Sequence, residues 1–357
     1  YFSRNIQEYD LGDVAPWDIA SKFSTETQYN PNSLGGHNFW LCDPDWRERL
    51  YVNTVIQFKC KTDMKLTHRG GWGSVLRTLK DYSVLEDSAS NYFLSMVDEV
   101  YLWKQHHLRP TGPWCGVVHC TPATTPAFKL CNLTNMVKDE IFLEDIKKCM
   151  VLFTLSEYIS TFLRENIPKP PKIVTLFHPI EPCDAMFTMD KYKNNTDKHL
   201  LQIGQQLRIV SSIFKIRPKG FKRLWLTGNP DMKRCMELLR CEYNGPVEPG
   251  MVYYTETYEE YDSLLEKNIV FIDLYDSAAN NTVLECIIRN TPIILNRTPG
   301  VVEYLGTEYP LYFTTLDEVA GLLKNKKIQA AHDYLCAMDK SHFTLEHFTK
   351  SIIAAVM

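Results

Sequence analysis

The sequence lacks three features that would each have pointed to a class of protein. It contains no uncharged apolar run of about 18 residues, so no segment is predicted to span a membrane. Its cysteines form no CxxC pair, so the spacing typical of zinc sites and redox dithiols is missing. Acidic and basic residues are interleaved and the formal net charge is −4, so we expect no nucleic-acid partner.

The 11 cysteines are odd in number and scattered singly along the chain. Several lie in apolar runs, where a cysteine packs as a small hydrophobic side chain. This usage indicates reduced thiols, and with no secretory signal at the start we predict a cytoplasmic protein. The chain begins at Tyr1 rather than Met, so we expect that an N-terminal extension is missing. Matches to the N-glycosylation pattern are interpreted as chance, since one falls in the candidate site: Asn132, Asn194, Asn280 and Asn296.

Length and patterning predict two domains of the α/β class. A chain of 357 residues is long for one core, and its second half alternates helices with strands that are apolar on both faces. Such alternation is typical of a parallel sheet covered by helices on both sides. The predicted strands of this half are 200–204, 223–228, 269–274, 292–295 and 311–313. Its predicted helices are 232–241, 258–266, 281–289, 301–305 and 316–323.

The first half shows the same alternation less regularly. Its predicted strands are 51–58, 97–103, 114–119, 150–155 and 172–176, and its predicted helices are 73–79, 142–148 and 157–164. We therefore expect an α/β protein of two Rossmann-like, doubly wound domains that face each other across a cleft. Open α/β sheets bind ligands at the carboxyl ends of their strands, so the candidate site lies in this cleft.

The domain boundaries follow from where this alternation stops. Residues before the first strand are rich in aromatics and turn formers, and the stretch between the two halves is polar. Two helices end the chain, at 330–339 and 345–356, and we expect them to pack back on the N-terminal domain. The predicted division is an N-terminal elaboration, an N-terminal domain, a linker, a C-terminal domain and C-terminal helices, at 1–48, 49–180, 181–198, 199–329 and 330–357.

The most informative segment runs from Asp276 to Ile294 and reads DSAANNTVLECIIRNTPII. An acidic loop precedes a predicted helix that Asn280 or Asn281 is expected to cap. Helix N-termini bind phosphates through amides that lack intrahelical partners and through the helix dipole. Free amides near residues 282–284 are therefore candidates for binding a diphosphate.

This segment resembles the nucleotide-sugar site of retaining GT-B glycosyltransferases, the family-4-like group. The resemblance implies that the helix N-terminus faces the donor diphosphate and that Glu285 holds the ribose hydroxyls. Members of that group usually carry a second glutamate eight positions earlier, where this chain has Ser277 beside Asp276. Either Asp276 takes that role near the transferred sugar or the backbone amides of the loop do so alone. The donor-binding candidates in the helix are Asn281, Thr282, Val283 and Glu285.

Three further elements match the same group. A Gly–Arg element opens the C-terminal half, which implies that Arg208 pairs with the diphosphate, with Lys215 as a second cation. Residues 299–306 resemble the Pro-Glu turn that follows the donor loop, which implies a site role for Glu303. His119 ends an apolar strand, where the group places a histidine near the donor sugar. Each has a plainer interpretation: surface cations, a structural carboxylate and a buried histidine.

Three weaker candidates complete the set. The turn Gly70-Gly71-Trp72-Gly73 either lets the backbone approach donor or acceptor, or only makes a tight turn before a helix. Tyr253 and Tyr254 either border the nucleotide base or lie in an ordinary loop. Asp43-Pro44-Asp45 imitates the metal-binding DxD of GT-A transferases, but it precedes the first core strand and suits a turn. We therefore predict no metal site.

The resemblance implies transfer of a sugar from a nucleoside diphosphate donor to a glycan or other hydroxyl acceptor, with retention and without cofactor or metal. The helix N-terminus and Arg208 would then neutralise the leaving group. An inverting enzyme would need a general base, for which Asp276 and His119 are the candidates. Two alternatives stay open: another enzyme on this fold, such as a nucleotide-sugar 2-epimerase or a phosphorylase, and a catalytically silent sugar- or nucleotide-binding protein.

Overall fold

The computed structural model describes residues 56–61, 72–126, 129–227, 231–255 and 257–356, which form two parallel sheets. Strands β1 to β5 make the first sheet in chain order, at Phe58–Lys59, Asn91–Leu94, Trp114–Val118, Cys149–Thr154 and Lys172–Thr175. Strands β6 to β11 make the second, at His199–Ile203, Lys222–Leu226, Val252–Tyr253, Ile269–Ile272, Ile293–Asn296 and Tyr312–Phe313. Their order across the sheet is β11-β10-β9-β6-β7-β8.

Helices connect these strands in both domains. Helices α1 to α5 accompany the first sheet, at Trp72–Asp81, Val97–Tyr101, Leu133–Met136, Glu140–Asp145 and Glu157–Asn166. Helices α6 to α10 follow, at Met189–Asn194, Ser212–Lys215, Met232–Arg240, Tyr258–Leu265 and Asn281–Arg289. Helices α11 to α14 end the chain, at Pro299–Leu305, Val319–Leu322, Asn325–Ala337 and Leu345–Val356. Short 3-10 turns lie at His106–Leu108, Ile146–Lys148, Leu316–Glu318 and Ser341–Phe343.

The order of the second sheet creates a crevice at its carboxyl edge. The chain runs from β6 outward through β7 and β8, then returns to place β9 beside β6, where Leu200 pairs with Ile269. The loops that leave β6 and β9 therefore diverge from neighbouring strands, which is where doubly wound sheets bind ligands. Arg208 follows β6 and Asp276 follows β9, so the fold brings both residues to this crevice.

The central strands of each sheet are buried on both faces, as their apolar sequences predicted. Every residue of β3 and of β9 is buried, which fits sheets covered by helices on both sides. The last helix, α14, packs on the first sheet rather than the second: Phe348, Ile352 and Ile353 join the cluster that contains Val75 of α1. Its partner α13 packs in the C-terminal core. The end of the chain thus spans the two domains.

Residues 97–103 were predicted as a strand, and this prediction is wrong because they begin helix α2. Val97, Val100 and Tyr101 are buried at helical spacing. Asp98 and Glu99 also favour a helix N-terminus. The strand of this region is β2, which the sequence analysis missed. Most of predicted strand 51–58 lies outside the described residues.

The stretch predicted as a linker contains helix α6. Phe187, Met189 and Tyr192 of this stretch are buried in the C-terminal core. Thr188 caps α6 by accepting a hydrogen bond from the amide of Lys191. Within the described ranges, the ten cysteines are all free thiols. No helix in that part of the chain has the length and apolar character needed to cross a bilayer.

Candidate active site

The centre of the site is the N-terminus of α10, which begins and ends where the sequence predicted. Asn280 is the N-cap, and its Oδ1 accepts a hydrogen bond of 3.3 Å from the amide of Val283. The helix stops at Asn290, whose φ of 58° is left-handed, a conformation that asparagine tolerates. The Leu284 amide also has a partner, the carbonyl of Asn280 at 3.0 Å, so two of the amides predicted to be free near 282–284 are already bonded. The first amides of the helix, at Asn281 and Thr282, are the ones that this end of α10 can offer to an anion.

Arg208 lies directly against this helix start. Its Nη2 donates to Asn280 Oδ1 at 3.0 Å and to Thr282 Oγ1 at 2.9 Å. Its Nε donates to the carbonyl of Ile203 at 3.2 Å, and its Nη1 donates to that of Gln206 at 2.6 Å. Burial lowers the pKa of Arg208 to about 10, so its guanidinium stays charged at neutral pH. A fixed cation therefore adds to the positive end of the helix dipole.

Glu285 lies one turn further along α10 and is 8% exposed. The hydroxyl of Tyr261, in α9, donates to its Oε2. The same two helices are joined again by Arg289, whose Nη2 donates to Asp262 Oδ1 at 2.9 Å. Burial is the main cause that raises the pKa of the Tyr261 hydroxyl, and the negative charge of Glu285 adds to it. Tyr261 therefore remains a hydrogen-bond donor at neutral pH.

Asp276 joins the two domains. Its Oδ1 accepts a 2.8 Å bond from the amide of Ser277, while its Oδ2 accepts from Tyr158 Oη at 3.0 Å and from the amide of Ala123 at 3.3 Å. Tyr158 and Ala123 belong to the N-terminal domain. Ser277, which stands where the resemblance places a glutamate, is buried, and its Oγ has no hydrogen-bond partner in the described ranges.

Glu303 holds the opposite domain as well. Its carboxylate oxygens accept hydrogen bonds from the amides of Glu157, at 2.6 Å, and Tyr158, at 2.8 Å. These amides start α5, whose N-cap residue makes no side-chain cap, so Glu303 satisfies them across the cleft. The next residue, Tyr304, donates to the carbonyl of Leu155 at 2.7 Å. This placement suits the structural interpretation of Glu303; its role toward a donor stays a prediction.

His119 follows the carboxyl end of β3, as the resemblance implied. Its Nε2 lies 2.9 Å from the carbonyl oxygen of Ser95. The buried carboxylate of Asp98 accepts hydrogen bonds from the amides of His119, at 2.7 Å, and Cys120, at 2.9 Å. Burial lowers the pKa of His119, so its imidazole is neutral at neutral pH. The position of His119 is thus fixed by a carboxylate that the sequence analysis did not single out.

Two of the remaining C-terminal candidates, Lys215 and Tyr253, donate hydrogen bonds to residues outside α10. Lys215 ends α7, is exposed, and donates to Ser211 Oγ at 3.1 Å. Tyr253 ends β8, and its hydroxyl donates to Glu260. Tyr254 follows it and is half-buried. Both tyrosines stand at the carboxyl edge of the second sheet, and their contact with a base stays a prediction.

Two sequence candidates fall wholly or partly outside the described residues. Gly70 and Gly71 lie outside them, while Trp72 and Gly73 open helix α1. Helix α1 follows β1, so its N-terminus lies at the carboxyl edge of the first sheet. Asp43-Pro44-Asp45 also lies outside the described part of the chain.

Sequence reasoning missed the two tyrosines that contact the site carboxylates. Tyr158 lies in the first turn of α5, and Tyr261 lies in the first turn of α9. Their partners, Asp276 and Glu285, are 118 and 24 residues away in the chain. A tyrosine near a helix start after a strand is a weak signal, and no local pattern names its partner.

A cavity of about 470 Å³ lies at the opposite edge of the second sheet, at the amino ends of β6, β7 and β8. Basic side chains line it, but Arg217 donates to the carbonyl of Phe214 at 2.7 Å, and Arg223 pairs with Glu248. Open α/β folds bind substrates at the carboxyl edge, so the site is assigned to Arg208 and its neighbours.

The burial of Asp276 predicts how the stability of the protein varies with pH. Burial raises the pKa of the Asp276 carboxyl. A raised folded-state pKa contributes stability below the unfolded value of about 3.9, and this contribution is lost as pH rises through the folded pKa. The melting temperature of wild type minus that of Asp276→Asn should therefore fall from about pH 4 to neutrality. The control Ser277→Ala, which does not titrate, should give a constant offset; a constant difference for Asp276→Asn as well would contradict the assignment.

Comparisons with known proteins concern the fold. No protein-family model matches the sequence, and no curated protein matches it closely enough to count as a relative. A UDP-forming α,α-trehalose-phosphate synthase of Burkholderia xenovorans matches with a TM-score of 0.50 and 10% identity, over 82% of this chain and 80% of that one. The synthase of Burkholderia multivorans matches at 0.51 and 10%, over 74% and 69%. The E. coli structure of trehalose-6-phosphate bound with UDP-2-fluoro glucose matches at 0.51 and 11%, over 80% and 78%.

This likeness shows the class of fold. The matched structures are GT-B glycosyltransferases, and this chain has the two parallel sheets of that architecture. The chain therefore has the GT-B fold, with two Rossmann-like domains, and the predicted fold class is confirmed. At 10–11% identity the likeness extends to the fold alone.

Proposed function

We propose that this protein is a glycosyltransferase that moves a sugar from a nucleoside diphosphate sugar to a hydroxyl acceptor. The observation that carries the proposal is the Arg208 guanidinium, hydrogen-bonded to Asn280 and Thr282 at the N-terminus of α10. Glu285 stands one turn away, within electrostatic reach of the same cation. A diphosphate at the helix start would meet the amides and Arg208, and the adjoining ribose would meet the Glu285 carboxylate.

The arrangement suits departure of a nucleoside diphosphate. Breaking the bond between sugar and diphosphate places negative charge on the leaving phosphate oxygen. Arg208 and the amides of α10 are held in place before reaction, so they stabilise that charge without reorganising. We propose that no metal is needed, and that transfer persists in EDTA. The neutral imidazole of His119 is proposed to hydrogen-bond the donor sugar.

UDP-sugars are the first donors to test. The structurally similar E. coli protein was solved with UDP-2-fluoro glucose, and the Burkholderia xenovorans protein is described as UDP-forming. Retention at the anomeric carbon is proposed on the sequence resemblance alone, and NMR of the product anomer decides it. The acceptor is proposed to be a glycan or another hydroxyl compound that enters between the domains.

One observation favours a second candidate, a protein that binds nucleotide sugars without turning them over. Ser277 replaces the usual carboxylate, and Asp276 already accepts three hydrogen bonds, two of them from the other domain. Donor binding without transfer and without slow donor hydrolysis would support this candidate. Donor turnover that needs no acceptor would instead indicate an epimerase.

A thermal-shift panel of UDP-, GDP-, ADP- and dTDP-sugars tests the proposal. A ligand that binds only the folded state raises the melting temperature in step with RT ln(1 + [L]/Kd). Glu285→Ala should raise the dissociation constant of the donor that binds best by about 10- to 150-fold, since it removes hydrogen bonds to a charged group. Glu248→Ala, a carboxylate of the same domain at the opposite edge, should leave binding unchanged. The proposal fails if no donor shifts wild type and Glu285→Ala behaves like Glu248→Ala.

A further inference from the structure

The contact between α9 and α10 has two parts with different consequences for the site. The hydroxyl of Tyr261 donates to the Glu285 carboxylate, and Arg289 donates to Asp262 at 2.9 Å. Tyr261 and Asp262 are adjacent in α9, and Glu285 and Arg289 are four residues apart in α10, so both contacts lie on facing sides of the two helices. Only the first contact reaches a side chain at the donor site.

The Arg289 contact joins the two helices independently of Tyr261. Arg289 is 1% exposed and Asp262 is 14% exposed at their side chains, so the pair is desolvated. Arg289 also donates to the backbone carbonyl of Glu285 at 3.4 Å. Loss of the Tyr261 hydroxyl therefore leaves the helix pair joined and the α10 backbone in place, while the Glu285 side chain loses a partner.

We propose that Tyr261 is a positioning residue that holds the Glu285 carboxylate ready for the ribose hydroxyls of the donor. This inference rests on the proposed function. Burial raises the pKa of the Tyr261 hydroxyl, so the phenol stays protonated and donates to one carboxylate oxygen. A glutamate side chain has three rotatable bonds, and fixing it before binding removes an entropic cost from ligand association. Tyr261 thereby acts on the ribose through Glu285 rather than by contact.

The test compares ribose with 2′,3′-dideoxyribose, which lacks both ribose hydroxyls. Calorimetry gives dissociation constants of UDP and 2′,3′-dideoxy-UDP, and likewise of the GDP and ADP pairs, for wild type, Tyr261→Phe and Glu285→Ala. In Tyr261→Phe, the constant for the ribonucleotide that binds best should rise about 3- to 10-fold, the cost of ordering one flexible side chain. The constant for its 2′,3′-dideoxy analogue should stay within twofold of wild type. The preference for ribose, measured as the ratio of the two dissociation constants, should therefore decrease.

Tyr101→Phe is the matched control. Its hydroxyl also donates to a buried carboxylate, Asp145 Oδ2 at 3.1 Å, but in the N-terminal domain. A comparable loss of melting temperature without a change in ribose preference is expected there. In a Glu285→Ala background, Tyr261→Phe should have no further effect on the preference. Tyr261→Met replaces Tyr261→Phe if the phenylalanine variant does not fold.

The outcomes separate the inference from the function on which it rests. Equal weakening of the ribonucleotide and its dideoxy analogue by Tyr261→Phe, or no weakening of either, overturns the positioning role. Wild-type binding and its loss in Glu285→Ala would then still uphold the donor site. No binding by wild type, or no effect of Glu285→Ala, overturns the donor site and the inference together. A selective loss for the ribonucleotide supports both.

Discussion

Arg208→Met should lower kcat/KM for the nucleotide-sugar donor by about 10²- to 10³-fold, the effect of removing one preorganised donor from a developing anion. Methionine keeps the length and apolar bulk of the stem but removes the charge and all guanidinium donors. Four acceptors each lose one hydrogen bond, at Ile203, Gln206, Asn280 and Thr282. The expected loss of activity therefore has two causes. The cation is removed, and the local geometry at the helix start is disturbed.

Nucleotide binding distinguishes these two causes. If Arg208 acts on the diphosphate, Arg208→Met should weaken binding of the nucleoside diphosphate more than binding of the corresponding monophosphate. Arg208→Lys should be intermediate, because an ammonium keeps the charge but not the planar fork. Arg217→Met is the control, since this arginine also donates to backbone carbonyls but lies at the amino edge of the sheet. An equal loss for diphosphate and monophosphate would place Arg208 outside diphosphate recognition.

Gly300→Ala should lower the melting temperature by roughly 6–12 °C, which corresponds to about 3 kcal/mol of overpacking. A Cβ at Gly300 would lie 2.1 Å from the carbonyl oxygen of Ser277 and 2.5 Å from that of Ala278. Both are backbone atoms, so no side chain can move aside. Either the start of α11 or the loop before α10 must shift.

The loop cannot shift without cost, because Asp276 ties it to the N-terminal domain through Tyr158. Helix α11 is tied to the same domain through Glu303. We therefore expect Gly300→Ala to weaken donor binding as well as stability, since the loop leads into the cap of α10. Gly321→Ala is the matched control. Within the part of the chain that the structure describes, an added Cβ there meets no atom of another element within 4 Å, and alanine in a helix should stabilise by about 0.4–1 kcal/mol. Equal melting temperatures for the two variants would contradict the predicted clash.

Three side chains of the C-terminal domain hold the two domains together through hydrogen bonds. Asp276, Glu303 and Tyr304 all reach the segment Leu155–Tyr158 of the other domain. Substitutions in this set are expected to alter how the domains meet as well as any chemistry. Activity loss in such variants alone therefore does not identify a catalytic residue.

Local patterns determined much of the fold and the centre of the site. Helix 281–289 was predicted with its observed bounds, because an asparagine cap precedes an apolar helical pattern and short-range hydrogen bonds decide both. Five of the six strands of the second sheet were also predicted, because an apolar run bounded by turn residues is a local signal, whereas the two-residue strand β8 was not. Arg208 and Glu285 were singled out because each belongs to a short motif that resembles one of the GT-B group.

Tertiary structure alone decided which side chains meet. Residues 97–103 read as a strand until packing buried Val97, Val100 and Tyr101 on one helix face. Partners such as Asp276 and Tyr158, 118 residues apart, depend on how two domains close, and no local pattern encodes that distance. The sequence by itself determined an α/β chain with an asparagine-capped helix start, a feature that can bind anions. The tertiary structure decided that Tyr261 contacts Glu285 and that Asp276 joins the domains, because these contacts arise only when separate elements pack together.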